Sequence, residues 1–113
     1  MSAKMTITPA DGVWVVRAGG AVLAESRSAL QLDEDGHASV IYFPRGDVAT
    51  AFLEPSATRT HCPHKGEAGY YGIAAATGLI ADAAWAYAAP VAGAETIAGH
   101  FAFDTDKVTV ERL

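Results

Sequence analysis

The sequence predicts a mainly all-β domain: a small antiparallel sandwich or barrel-like sheet of about eight short strands, with one or two short helical turns. Three observations lead to this prediction. Short runs rich in β-branched and aromatic residues recur at close spacing along the 113 residues. Glycine- or proline-containing turn signals separate these runs. The spacing leaves no room for the helices of βαβ units. The length is that of a single domain, residues 1–113.

Each strand is predicted from its residue pattern and from the turn that ends it. In chain order, the predicted strands are residues 13–18, 21–25, 29–33, 39–43, 57–61, 68–74, 79–89, 100–103 and 108–110. Gly19-Gly20 accepts the positive φ angles of a tight hairpin turn. Asp35-Gly36 and Lys65-Gly66 are further turn signals. Pro44 ends a strand because proline cannot donate to a sheet ladder. Thr105-Asp106 is predicted to connect the last two strands as a closing hairpin.

Two segments carry helical signals. Asp47 is a suitable N-cap for one short helix or 3₁₀ turn over residues 47–53, and Glu54-Pro55 ends it. A second helical turn is predicted within residues 93–98. Both segments are too short to form a layer of helices, so the prediction of a mainly β domain is unchanged.

The run over residues 79–89 supports two interpretations. Its alanines favour a helix, whereas the placement of Ala83, Trp85 and Tyr87 at every second position favours a strand. Because the neighbouring segments are all predicted to be strands, we predict a strand here too.

Composition and charge exclude several classes of protein. A single cysteine, Cys62, rules out an intrachain disulfide and zinc sites built from cysteine pairs. A net charge of −5 argues against duplex nucleic acid as a partner. No run of about 18 apolar residues appears, so we expect no membrane partner. The N-terminus lacks the apolar stretch of a secretion signal, so we expect a cytoplasmic location. Residues 1–8 are expected to be flexible.

Reactive side chains are densest between Arg59 and Gly66. The thiol of Cys62 lies there beside two imidazoles and two cations. Cations close to a thiol favour the nucleophilic thiolate, and a neighbouring histidine is the minimum for thiol-based chemistry. Cys62, His64 and Lys65 are therefore the candidate catalytic residues. An alternative stays open, because free cysteine is among the most buried residue types and Cys62 can equally be a packing residue.

His61 and His64 raise a further alternative, a metal site completed by Cys62 or by a distant carboxylate such as Glu34. Three ligands within four residues do not easily close a tetrahedron, and solvated histidines at a strand end are the commoner case. We therefore predict no metal site and no cofactor.

A second group of side chains is predicted to bind a small molecule. The Arg45 guanidinium offers paired donors to a carboxylate or phosphate. Trp85 and Tyr87, at i and i+2 of one strand, would share a face and form an aromatic floor. In the alternative, the aromatic residues belong to the core and Arg45 to an ordinary surface ion pair. The candidate ligand-binding residues are Glu34, Tyr42, Arg45, Tyr70, Trp85 and Tyr87.

Several motifs, taken in order, resemble one known family. They are Leu32 with Glu34, then Tyr42-Phe43-Pro44-Arg45-Gly46-Asp47-Val48, then Cys62-Pro63-His64-Lys65-Gly66 with Ala68 and Tyr70, then Ala84-Trp85-Ala86-Tyr87 with Pro90, and Ile97-Ala98-Gly99 with Phe101-Ala102-Phe103. The combination is similar to domain of unknown function 427 (DUF427), and the resemblance covers about residues 12–110.

This resemblance implies an all-β fold similar to the β-tent of Mss-four-like proteins, and it points to the Cys62–Lys65 turn. Zinc-binding members of that group use paired cysteines, which this chain lacks, so the resemblance implies no zinc here. The family also carries a nucleotidyltransferase label. The sequence gives that label little support, since no pair of carboxylates stands beside a glycine-rich phosphate loop.

The function that we predict is a small-molecule pocket around the Cys62–Gly66 turn, with thiol-dependent chemistry on a small acidic metabolite held by Arg45. The alternative is a non-catalytic ligand-binding module in which Cys62 only packs. Metal-assisted chemistry and nucleotidyl transfer rank below both. An exposed strand edge or aromatic patch could also support a homodimer.

Overall fold

The structure is a computed structural model that describes residues 4–113. Its strands are β1 (Met5–Pro9), β2 (Trp14–Ala18), β3 (Ala21–Ser26), β4 (Leu30–Glu34), β5 (Val40–Tyr42), β6 (Leu53–Cys62), β7 (Gly66–Ala75), β8 (Gly78–Ala86), β9 (Phe101–Phe103) and β10 (Thr109–Arg112). Three single 3₁₀ turns cover Arg45–Asp47, Thr50–Phe52 and Glu95–Ile97. The prediction of a mainly β protein with only short helical turns is confirmed. The likeness to the Mss-four-like β-tent stays a prediction.

The strands form three antiparallel sheets, with the orders β1-β4-β5, β10-β2-β3 and β6-β7-β8-β9. Phe43 and Phe101 connect the first sheet to the third. Their backbones exchange two hydrogen bonds, with N···O distances of 2.7 and 2.9 Å. Because such a bridge continues the ladder past Tyr42, β5 and β9 are held side by side across the sheet boundary.

Two apolar clusters fill the interior, and β9 separates them. Side chains alternate between the two faces of a strand, so Phe101 and Phe103 enter one cluster while Ala102 enters the other. Strand β8 does the same, since Ala84 and Ala86 face the first cluster. Trp85 packs against the second cluster. The small side chains of β8 therefore pack against the first cluster, and its large aromatic side chain, Trp85, packs against the second.

The predicted turns and the ambiguous run agree with the structure. Gly19 and Gly20 have φ angles of 56° and 81° between β2 and β3. Gly36, with a φ of 81°, lies in the turn after β4. The alanine-rich run forms β8 as far as Ala86, with Tyr87 just beyond the strand. Tertiary pairing with β7 and β9 therefore outweighs the helical propensity of alanine.

The predicted closing hairpin is wrong. The turn after Phe103 exists, but β9 pairs with β8 and β10 pairs with β2. Val110 lies opposite Val16, so the C-terminal strand completes the sheet of the first hairpin. Local turn signals show where the chain reverses, but the partner of a strand depends on residues distant in sequence.

The prediction of Asp47 as an N-cap is also wrong. Asp47 is the last residue of the Arg45–Asp47 turn, and no side chain caps that turn. Its carboxylate instead accepts a hydrogen bond from the Ser26 hydroxyl, at 2.6 Å. The segment forms two separate 3₁₀ turns rather than one helix.

Only part of the segment expected to be flexible, residues 1–8, belongs to the described residues. Residues 1–3 lie outside the described residues. Met5–Pro9 forms β1, in antiparallel register with β4 from Met5 opposite Glu34 to Pro9 opposite Leu30. This pairing corrects the expectation for residues 5–8, because Ile7 and Met5 also pack against the second cluster.

Candidate functional site

The turn between β6 and β7 is held at both ends. The Lys65 amide donates to the Cys62 carbonyl at 3.2 Å, and the Lys65 carbonyl accepts from the Val91 amide at 2.9 Å. Gly66 follows with a φ of 114°, a conformation that favours glycine. The turn thus presents Cys62 and Lys65 from a fixed backbone.

This turn borders a cavity of about 420 Å³, which we call the site cavity. Its lining residues come from five separate segments: β4, the β4–β5 connection with β5, the β6–β7 turn, β7, and the end of β8. They are Leu32, Glu34, His37, Ala38, Val40, Tyr42, Cys62, Pro63, His64, Lys65, Tyr70, Trp85 and Tyr87. All three candidate catalytic residues and five of the six candidate ligand-binding residues line this one cavity; the exception is Arg45.

Lys65 and Glu34 form an ion pair in the cavity wall. Lys65 Nζ donates to Glu34 Oε1 at 3.0 Å, and the two side chains are only 12% and 10% exposed. The hydrogen bond from Lys65 holds the pKa of Glu34 below its ordinary value, against the opposing effect of burial. Burial works to lower the pKa of Lys65, but its bonds to Glu34 and Cys62 outweigh burial and raise that pKa. Both groups therefore stay charged at neutral pH.

Tyr42 and Trp85 form a hydrogen-bonded aromatic pair. Trp85 Nε1 donates to Tyr42 Oη at 3.3 Å. The ring of Tyr70 lies 6.1 Å from that of Trp85, tilted by 35°, because the two residues are directly opposite on β7 and β8. Burial raises the pKa of Tyr42, so its phenol stays protonated.

Tyr87 lines the same cavity from just beyond β8. Its carbonyl accepts from the Gly99 amide at 3.1 Å, which fixes its backbone, and the side chain is only 5% exposed. The side-chain hydrogen bonds of the cavity wall join Lys65 to Glu34, Trp85 to Tyr42 and Tyr70 to Thr60; within residues 4–113 none reaches the Tyr87 hydroxyl. Burial raises the pKa of Tyr87, so this phenol too is neutral.

Cys62 is a half-buried free cysteine at the end of β6. It lines the site cavity and packs against the second apolar cluster. Its side chain interacts with the Lys65 ammonium, which it helps to keep protonated. The thiol is therefore both a packing group and a cavity group, and its reactivity stays a prediction.

Arg45 does not line the cavity, so the predicted anion clamp over Trp85 and Tyr87 is wrong. Its guanidinium carbon lies 5.6 Å from the centre of the Phe101 ring, a cation–π contact at an exposed position. Phe101 faces the first apolar cluster, so the contact draws Arg45 to the face of the sheet opposite Trp85. Arg59 is also directed elsewhere, with bonds to the Ser56 and Thr58 carbonyls.

Some lining residues were missed by the sequence reasoning. Leu32 lies two positions before Glu34 on β4, and this spacing was a signal that the two share a face. His37 follows the predicted Asp35-Gly36 turn. Its position beside the cavity depends on how β4 and β5 pack against the β6–β7 turn, and no local pattern encodes that packing.

A second cavity, of about 370 Å³, adjoins the first. The two cavities share Ala38, Val40 and Trp85. Trp14 lines only the second cavity, and its Nε1 donates to the Asp11 carbonyl at 3.0 Å. Trp85 therefore borders both cavities, whereas Trp14 borders only the second.

Within residues 4–113, no three His, Cys, Asp or Glu side chains are grouped so that they could hold a metal ion. Glu34 is the one carboxylate among the described residues that line the site cavity, and Lys65 already binds it. The same part of the chain contains no helix long and apolar enough to cross a bilayer.

The chain was compared with known protein families and with curated proteins. The model of the family described as Domain of unknown function (DUF427) matches residues 6–113. No curated protein matched. The matched region includes all of β1 but Met5 and every segment that contributes to the site cavity. It covers nearly the whole chain, and the protein therefore belongs to the DUF427 family.

Proposed function

We propose that this protein binds a small organic molecule in the site cavity. The observation that carries the proposal is the convergence of Tyr42, Tyr87, Trp85 and the Glu34–Lys65 pair on one cavity of about 420 Å³. Ligand pockets of roughly 300–1,000 Å³ with aromatic walls and a few placed polar groups are typical small-molecule sites.

The position of Arg45 changes the type of ligand that is expected. A small acidic metabolite was expected because Arg45 was predicted to hold it over the aromatic floor. The guanidinium instead contacts Phe101, and the cation in the cavity wall is already paired with Glu34. The ligand of this cavity therefore needs aromatic contact more than a charge partner.

Nuclear magnetic resonance tests the proposal with the two indole N–H signals as reporters. A library of small aromatic and aliphatic fragments at millimolar concentration should contain members that shift the Trp85 signal and leave the Trp14 signal in place. Ala38→Phe would obstruct both cavities, since Ala38 lines each, and should abolish these shifts. Ala57→Phe, at an exposed position of β6, is the matched control and should retain them. If no fragment shifts the Trp85 signal, or if Ala38→Phe leaves the shifts intact, the proposal is wrong.

Cys62 and Lys65 lie on one turn and line the same cavity, which favours a second candidate function, thiol-dependent chemistry in that cavity. A cation near a cysteine is the setting in which the nucleophilic thiolate is generally favoured. Iodoacetamide should then alkylate folded Cys62 at pH 7 several-fold faster than it alkylates a peptide of residues 60–66. The double variant Glu34→Gln with Lys65→Met removes both charges together and should lose the acceleration. An alkylation rate at or below that of the peptide would refute thiol chemistry without affecting the binding proposal.

A further inference from the structure

Two phenol hydroxyls of the site cavity keep hydrogen-bonding capacity that the protein does not use. The Tyr42 oxygen accepts from Trp85 Nε1, which leaves its own proton for another acceptor. Tyr87 is 5% exposed, and no side-chain hydrogen bond within residues 4–113 involves its hydroxyl. Since no fully buried side-chain oxygen in that part of the chain lacks a partner, this hydroxyl is open to the cavity rather than sealed in the interior. A ligand that brings an acceptor can therefore reach it and replace water there.

Both tyrosines line the site cavity, Tyr42 from β5 and Tyr87 from just beyond β8. Burial keeps both phenols protonated. The cavity wall thus offers two neutral O–H donors, and a carbonyl oxygen has two lone pairs that can accept from two donors at once.

The charges of the cavity wall cancel. Lys65 and Glu34 are bound to each other at 3.0 Å, and both are nearly buried. An entering carboxylate would gain little from Lys65 and would be repelled by Glu34, since both remain close at low effective dielectric. The whole chain adds to this, because its formal net charge is −5.

We propose that the ligand of the site cavity is an uncharged carbonyl compound with an aromatic or apolar body, whose carbonyl oxygen accepts hydrogen bonds from the hydroxyls of Tyr42 and Tyr87. The body lies against Tyr70 and Trp85. This inference rests on the proposed function, because it specifies the class of ligand for the same cavity.

Three probes of one ring size distinguish an uncharged carbonyl compound, a carboxylate and a hydrocarbon as ligands. They are benzamide, benzoate and toluene, and the binding of each is followed through the Trp85 indole signal. Benzamide should bind most tightly, toluene more weakly and benzoate most weakly. Removing the hydroxyl with Tyr87→Phe should weaken benzamide binding about three- to tenfold, the size of one hydrogen bond. The same change should leave toluene binding unaltered.

Tyr71→Phe is the matched control. Tyr71 is half-buried, packs edge-on against Phe101 with ring centres 5.3 Å apart, and does not line the site cavity. Removal of the Tyr71 hydroxyl should change neither the affinity for benzamide nor the affinity for toluene. Tyr87→Phe should fold normally because the described residues make no hydrogen bond to the Tyr87 hydroxyl. Tyr42→Phe removes the second hydroxyl donor. It too should weaken the binding of benzamide and leave the binding of toluene unaltered.

The outcomes separate this inference from the function on which it rests. If toluene and benzamide bind equally, if benzoate binds best, or if neither Tyr87→Phe nor Tyr42→Phe weakens benzamide, the carbonyl inference is wrong while binding in the cavity stands. If no probe shifts the Trp85 signal, both proposals are overturned.

Discussion

At the residue scale, the Glu34–Lys65 pair is the most consequential interaction of the site. Each partner is nearly buried, and each satisfies the other at 3.0 Å. A buried pair of this kind contributes little compared with an apolar pair of the same shape, but loss of one partner leaves an uncompensated charge. The stability of the site region therefore depends on both residues being present or both being absent.

This dependence gives a prediction for stability. Glu34→Gln should lower the free energy of unfolding by about 1.5–3 kcal/mol, the range for losing a hydrogen bond to a charged group. Lys65→Met should have a similar effect, while the double variant should come closer to the wild type than either single change. Urea unfolding followed by circular dichroism measures all four proteins. Strictly additive losses would contradict the coupling.

The pKa of Glu34 gives a prediction for pH. Lys65 holds the folded-state pKa of Glu34 below its ordinary value of 4.5, so the folded protein binds fewer protons than the unfolded chain. The contribution to stability is therefore complete above pH 4.5 and is lost as the pH falls through the folded-state pKa. The raised pKa of Lys65 matters in alkaline solution. Its contribution to stability is complete below pH 10.5 and is lost as the pH rises through the folded-state pKa.

Urea unfolding between about pH 7 and pH 3 tests the acid side. The wild type should lose stability more steeply than Glu34→Gln as the solution is acidified, so the difference between them should shrink. A constant difference across this range would mean that the pKa of Glu34 is the same in the folded and the unfolded protein.

At the element scale, the β6–β7 turn decides how the thiol and the ammonium are presented. Sequence reasoning identified this turn from Lys65-Gly66, and it identified Cys62, His64 and Lys65 as candidates because reactive side chains cluster there. Arg45 was misplaced because its direction depends on the contact between Phe43 and Phe101, which connects two distant strands. Residues near a turn were thus predictable, whereas those oriented by long-range pairing were not.

Gly66 and Gly46 form a matched pair for testing the turn. A Cβ at Gly66 would meet nothing closer than 3.5 Å, so any loss comes from its φ of +114°. Gly66→Ala should therefore lower the free energy of unfolding by about 1–3 kcal/mol through backbone strain, and it should weaken any ligand that shifts the Trp85 signal. Gly46→Ala, with open space and no positive φ, should stay within about 0.5 kcal/mol of the wild type. Equal effects of the two substitutions would show that the turn conformation is not under such constraint.

At the scale of the whole molecule, Phe43 joins two of the sheets through its backbone and belongs to the first apolar cluster through its side chain. Its side chain is fully buried, and its ring meets Phe103 edge-on at 5.8 Å. The fold class could be predicted from the sequence because turn signals and period-two patterns are local. The division into three sheets could not, since it depends on which distant strands pair.

Phe43→Ala should lower the free energy of unfolding by about 3–5 kcal/mol, as expected for removal of a large buried ring. Phe52→Ala is the matched control, because Phe52 is 44% exposed, and should cost less than about 1 kcal/mol. Chemical unfolding of both variants measures the difference. Similar losses would contradict the assignment of Phe43 to the core of the first cluster.

The sequence left open a homodimer formed through an exposed strand edge or aromatic patch. The place for it is the outer edge of β6, where all but three residues of Leu53–Cys62 are exposed. A bulge between Pro55 and Arg59 interrupts the pairing of this strand with β7, and bulges at an edge discourage further strand addition. Light scattering should accordingly give the mass of one chain, 11.7 kDa, and a mass of twice that value would show that the edge pairs despite the bulge.

The lining of the site cavity comes from five segments that span Leu32 to Tyr87. Such a cavity exists only in the folded chain, because no single segment contains even half of its walls. A ligand would therefore bind the native state alone and would stabilise the whole molecule, by about 2.7 kcal/mol at a concentration one hundred times its dissociation constant. In a cell, the supply of that ligand would then set how long each copy of the protein survives proteolysis, so the abundance of the protein would report the concentration of the compound it binds.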